Sequence, residues 1–183
     1  KIIFAVLEQE QKLVEEAKQD PEKFIVLYDK YFNQIYRYVY RRVNQREAAE
    51  DLVSQTFYDA FSHLKSYEWR GYSFSAWLYK IAHNNVLKWY RDQQKTPLSE
   101  LAEGFEFVDE QTNQVKDIIE KETHDEIQQL LAKLDPEDRE IIRLKFFEEA
   151  SNIEIAEIMG LSPNHIGVKV FRALKKVKIL LTQ

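Results

Sequence analysis

The stretch Asn152-Ile153-Glu154-Ile155-Ala156-Glu157-Ile158-Met159-Gly160-Leu161-Ser162-Pro163 decides how this chain is read. Its first eight residues carry apolar side chains at helical spacing, with a small alanine where a partner helix must approach closely. Gly160 permits a positive φ at a helix C-terminus. Ser162-Pro163 then opens a last helix, with proline in a first-turn position that needs no N–H. Two helices joined in this way form a helix-turn-helix, whose second helix normally enters the major groove. The plainer alternative is a two-helix packing corner with a merely soluble basic face.

The last helix is expected to end near Leu181. Laid out at roughly 100° per residue, it puts Ile166, Val170, Ala173, Leu174 and Val177 on a core face. The opposite side carries Asn164, Val168, Arg172 and Lys175, flanked by His165, Lys169 and Lys176, with Phe171 near the boundary. Val168 beside Phe171 and Arg172 suits contact with thymine methyls and phosphates. Gly167 inside this helix costs on the order of 1 kcal/mol against alanine, and its missing side chain allows close approach to DNA.

Outward from this motif, only four glycines and four prolines interrupt long runs of apolar residues at three- and four-residue spacing. The fold class expected is therefore all-α. A first helix covers about Glu8 to Gln19, and Asp20-Pro21 caps a second, aromatic-rich one from Glu22 to Val43. A third runs from about Arg46 to Lys65. Residues 66–72 read as a loop, and Ser73 caps a fourth helix reaching about Asp92. Periodicity weakens from Gln93 to about Thr123, which reads as a linker. Helices resume near Asp125, with Asp135-Pro136 capping one that reaches about Glu148.

The net charge of −5 on 183 residues argues against nucleic acid until its distribution is considered. Between Glu100 and Glu126 ten acids face only Lys116 and Lys121, whereas beyond Glu157 there are five cations and no acid. Segregation of this kind marks functional surfaces better than the total does. There is no cysteine, which removes disulfides, thiolate catalysis and thiolate metal sites, and suits a reducing cytoplasm. The opening apolar run Ile2–Leu7 is too short for a signal sequence, and no membrane insertion is expected. Four scattered histidines give no metal spacing and four isolated glycines no phosphate-cradling loop, so neither an enzyme nor a cofactor is expected.

The fourth helix carries a second signal. Its core face reads Phe74, Leu78, Ile81, Ala82, Asn85 and Trp89, and its other face is a polar and basic stripe of Lys80, Asn84, Lys88, Arg91 and Lys95. The helical wheel puts Trp77 on that stripe. A tryptophan among cations, preceded by the aromatic loop Tyr67 to Tyr72 with Trp69 and Arg70, suits stacking of unpaired bases. Packing of Trp77 on a neighbouring helix explains it equally well. On the third helix Ala49, Leu52, Val53, Thr56 and Ala60 form the buried side, and Asp51, Gln55, Tyr58 and Ser62 the outer one. That outer face suits protein contact or plain solvation.

Three segments together resemble the compact extracytoplasmic-function group of sigma factors, in the sigma-70 family. They are Ala48-Ala49-Glu50-Asp51-Leu52-Val53-Ser54-Gln55-Thr56-Phe57, Phe74-Ser75-Ala76-Trp77-Leu78-Tyr79-Lys80-Ile81-Ala82-His83-Asn84, and the helix-turn-helix from Leu134 through Lys176. The resemblance implies two small helical domains, 1–94 and 124–183, joined by an acidic linker over 95–123. It implies a subunit that binds core RNA polymerase, directs it to promoters and helps open the DNA. Asp51, Gln55 and Tyr58 would then dock on the β′ clamp. Trp69, Arg70, Trp77, Lys80, Asn84, Lys88 and Arg91 would read and open the minus-ten element. Asn164, His165, Val168, Lys169, Phe171, Arg172 and Lys175 would read the minus-thirty-five element. The β flap of the polymerase and an anti-sigma factor are the further partners implied. The chain departs from the group at Ser54-Gln55, often Gln-Glu, and at Gly167 and Val168, often a basic residue and serine. A helix-turn-helix regulator that binds duplex DNA by itself is the competing reading.

Overall fold

The computed structural model describes residues 2–93, 127 and 129–181. Among them there is no strand, and they fall into two compact units. The N-terminal unit holds α1 (Ile2–Gln19), α2 (Phe24–Val43), α3 (Arg46–His63) and α4 (Phe74–Gln93). In the C-terminal region lie α5 (Pro136–Phe146), α6 (Asn152–Met159) and α7 (Pro163–Leu181). The expected linker and Lys95 lie outside the described residues. No helix among the described residues is long and apolar enough to cross a membrane.

Several boundaries differ from expectation for local reasons. The first helix begins at Ile2, well before Glu8. The Asp20 carboxylate does cap, accepting from the Glu22 N–H at 3.1 Å, but it starts a tight 3-10 turn, Pro21–Lys23, and α2 opens only at Phe24. Likewise α3 stops at His63, and Leu64–Ser66 form a second 3-10 turn. Asn44 closes α2 in the left-handed region, φ 51°, donating its N–H to the Tyr40 carbonyl.

In the N-terminal unit α2, α3 and α4 pack on one another, and α1 lies against α2 and α4. Leu27, Ile35, Tyr38 and Val39 meet Val53 and Phe57 of α3 and Phe74, Leu78, Tyr79, Ala82 and Val86 of α4 in the buried interior. The core face of α4 is thus rotated from the one expected: Tyr79 and Val86 are buried, while Ile81, Asn85 and Trp89 are half-buried. Two helices clasp α4, so its buried arc is wide, and Asn85 sits on the α3 side. There its amide donates to the Asp59 carboxylate at 3.1 Å and the Thr56 hydroxyl at 3.4 Å. Phe57, absent from the expected buried side of α3, is also in the core.

A carboxylate from α1 starts α4. Glu10 is 4% exposed and accepts from the Ser73 hydroxyl and the Phe74 N–H, both at 3.3 Å, with Lys30 at 3.5 Å. The unpaired N–H groups and dipole of a helix N-terminus favour such a negative partner.

The C-terminal region is built on reciprocal caps. Asp135 accepts from the Asp138 N–H at 3.0 Å, with Pro136 in the first turn of α5. Ser151 and Glu154 form a capping box on α6: the Ser151 N–H donates to Glu154 at 2.8 Å and the Glu154 N–H to the Ser151 hydroxyl at 3.3 Å. Gly160 takes φ 68°, and the Leu161 N–H reaches back to the Ala156 carbonyl at 2.9 Å. This is the Schellman closure that the glycine permits. Leu131, Leu134, Ile142 and Ala173 form one apolar cluster, with Phe147, Val177 and Leu180 against it. Leu174, expected in the core, is 41% exposed because α7 meets α5 along the line of Ala173, Val177 and Leu180.

Candidate nucleic-acid interface

The outer side of α7 is a continuous strip. Asn164, His165, Val168, Phe171, Arg172 and Lys175 are all exposed, Phe171 to 70%. Phe171 therefore lies on the open face and not at a boundary. Ser162 sets the start of the helix: its hydroxyl accepts from the His165 N–H at 3.3 Å and its carbonyl from the Ile166 N–H at 3.1 Å. A side chain at Gly167 would meet only the Asn152 amide, at ordinary contact distance. Packing within the chain gives no reason for a glycine there.

Lys169 departs from the expected arrangement. Its ammonium pairs with Glu137 of α5 at 2.7 Å, and the side chain is only 19% exposed. Lys176 is likewise turned inward onto Asp135, at 2.7 Å, and Asp138. The hydrogen bond from Lys176 holds the Asp135 carboxyl down at about 2, and the two carboxylates push the Lys176 ammonium up to about 12.

In the N-terminal unit the loop before α4 turns at Gly71, whose φ of 81° suits glycine. Trp69 beside it is half-buried and Arg70 exposed. Trp77 does not stand free on the basic stripe. Its ring packs on Tyr67, centroids 4.6 Å apart, and on Phe74 at 5.3 Å, leaving the residue half-buried. Lys80 is half-buried, whereas Asn84, Lys88 and Arg91 are exposed along one side of α4. Arg91 donates to the Leu87 carbonyl of its own helix at 3.3 Å.

On α3, Asp51, Gln55 and Tyr58 are exposed, Tyr58 to 66%. Gln55 donates to Asp59 at 2.7 Å. Asp51 and Gln55 share a groove of about 600 Å³ with Lys88 and Trp89 of α4. The acidic face of α3 and the basic stripe of α4, separate surfaces in the sequence reading, thus meet along one edge.

Two residues important to these surfaces left no pattern in the sequence. Glu10 positions the start of α4, and Arg139 donates to the carbonyls of Leu131, Ala132 and Leu134 at 3.0, 2.9 and 3.0 Å. Both act across distant or irregular segments. Among the described residues no cluster of three or more acidic or histidine side chains could hold a metal ion.

Both halves of the chain are similar to known proteins. Residues 27–96 match the family described as Sigma-70 region 2, and residues 124–177 match Sigma-70, region 4. RNA polymerase sigma factor YlaC of Bacillus subtilis (strain 168) is 32% identical over 159 residues, covering 86% of this chain and 91% of that protein. ECF RNA polymerase sigma factor SigW of the same organism is 29% identical, covering 88% and 90%. The sigma factor RpoE, solved in complex with the anti-sigma factor NepR from Bartonella quintana, superimposes with a TM-score of 0.62 at 21% identity, covering 88% of this chain and 98% of that one. At that identity the likeness speaks for the fold.

Proposed function

The chain belongs to the extracytoplasmic-function group of the sigma-70 family, a sigma factor that binds core RNA polymerase and directs it to promoters, and from that premise we propose how its surfaces divide the work. The α7 strip reads the minus-thirty-five element as duplex. The observation that carries this reading is the exposed run Asn164, Val168, Phe171, Arg172 and Lys175 on the second helix of a closed helix-turn-helix. Arg172→Ala is expected to weaken promoter binding and to reduce the salt slope by about 1, the loss of one phosphate contact. Fluorescence anisotropy across a salt series checks this, and an unchanged slope would count against the contact.

Strand opening falls to Trp69 and Arg70 in the loop and to Trp77, Lys80, Asn84, Lys88 and Arg91 on α4. Half of Trp77 is already committed to Tyr67 and Phe74, so only its open edge can meet a base. Trp77→Ala is therefore expected to weaken the N-terminal unit as well as open-complex formation, whereas Asn84→Ala leaves the packing alone. Removal of a stacking platform worth about 1–3 kcal/mol per base should lower open-complex yield roughly tenfold for Trp77→Ala. Core-polymerase binding should persist in both variants. Permanganate reactivity of unpaired thymines reads the outcome.

Asp51, Gln55 and Tyr58 dock on the β′ clamp, and the C-terminal domain meets the β flap. We assign residues 1–94 and 124–183 to the two domains and 95–123 to the linker between them. An anti-sigma factor, such as RpoE has in NepR, would mask the same surfaces. The protein has no catalytic role in this reading and works in the cytoplasm, where the polymerase is. Transcription in vitro with core polymerase on a promoter library tests the whole. A chain that footprinted duplex DNA alone, without binding core or directing initiation, would be a helix-turn-helix regulator instead.

A further inference from the structure

Five cations lie on α7, at 169, 172, 175, 176 and 178. Lys176 is held by two acids, one of them buried, and serves the fold. Lys169 differs. It directly follows Val168 and precedes Arg172 by three residues, at the edge of the exposed strip. Its ammonium is drawn off that edge by one partner, Glu137, whose side chain is 45% exposed. Glu137 is not needed to cap α5, because Asp135 does so. An ion pair with an exposed member adds little stability, so the pair can be altered without unfolding the unit.

We propose that Glu137 is a specificity-determining residue that withholds Lys169 from phosphate. Phosphate contacts are open to any sequence in any register, whereas base contacts discriminate and hold the helix in one register, so a released lysine adds most where no register is fixed. A recognition helix with one lysine neutralised is pulled less strongly to arbitrary duplex and relies more on its base-reading strip. Glu137 also carries a negative charge close to where a phosphate would pass, and this opposes docking that is not compensated by correct base contacts. The inference rests on α7 being the duplex-reading helix.

The test uses the full chain assembled with core polymerase, binding a promoter duplex and an unrelated duplex across a potassium chloride series. Glu137→Gln is expected to raise affinity for the unrelated duplex about fivefold near 0.15 M salt and to steepen the slope by about 1, as one added phosphate contact would. The gain on the promoter should be smaller, because base contacts there already fix the register of α7, so the specificity ratio falls. The double variant Glu137→Gln/Lys169→Gln should return to the wild-type slope. Thermal melting by circular dichroism should match wild type for both. An unchanged slope in Glu137→Gln, with Arg172→Ala still showing its shallower one, overturns the role of Glu137 alone. Equal gains on both duplexes overturn it as a determinant of specificity. If Arg172→Ala also leaves the slope unchanged, the reading of α7 falls and this inference falls with it.

Discussion

Arg139→Ala is expected to lower the stability of the C-terminal region by about 3 kcal/mol, the scale of several charge-assisted hydrogen bonds lost at once. The guanidinium spans three carbonyls, of Leu131, Ala132 and Leu134, that close the helical residues preceding α5. The turn into Asp135 ends the helical ladder there, and of the three only the Leu131 carbonyl has a backbone partner close by among the described residues, the Leu134 N–H at 3.0 Å. Leu131 and Leu134 belong to the apolar cluster under α7, so loosening this turn also loosens the support of the recognition helix. Arg139→Lys should recover less than half of the loss, since one ammonium cannot reproduce the fork. Urea titration separates the two regions. Trp69, Trp77 and Trp89 all lie in the N-terminal unit. Circular dichroism should therefore show an early loss of helix while tryptophan fluorescence keeps its wild-type midpoint. An unmoved circular-dichroism curve would show that the three bonds do not hold the turn.

Glu10→Ala should act on the other unit by somewhat less, about 2 kcal/mol, combining a lost helix cap with the loss of an ion pair of which only the acid is buried. The Phe74 N–H would be left without its acceptor. Lys30, 42% exposed, can return to water, which keeps the loss below that of a wholly buried pair. Glu10→Gln should restore part of the stability, because an amide oxygen can still accept from Phe74. Here tryptophan fluorescence is the reporting signal, and a midpoint equal to wild type would refute the cap.

Features fixed by local chemistry were legible in the sequence. The glycine closure at Gly160, the proline-initiated α7 and the Asp135 cap were each readable from a few adjacent residues, and each is present. The exposed positions of Asn164, Val168 and Arg172 followed from a single helical wheel. What was missed depends on where a second element lies. A wheel cannot say that α4 is clasped from two sides, so it left Tyr79 and Val86 off the core face. Trp77 was set among cations by its angle, whereas Tyr67, ten residues earlier, takes up half of its ring. Lys169 read as a free cation because Glu137 is 32 residues away.

The bond from Glu10 to the start of α4 also has a consequence for the order of assembly. It joins groups 64 residues apart, whereas α2, α3 and α4 follow one another through short connections. Closing a long loop costs more entropy than pairing neighbours, and such contacts come late. During synthesis α1 leaves the ribosome before α2, α3 and α4, yet its seat on α4 does not exist until residue 74 has emerged. The bond that caps α4 is thus among the last contacts of this unit to form, even though the helix that supplies it can pack on α2 from the outset.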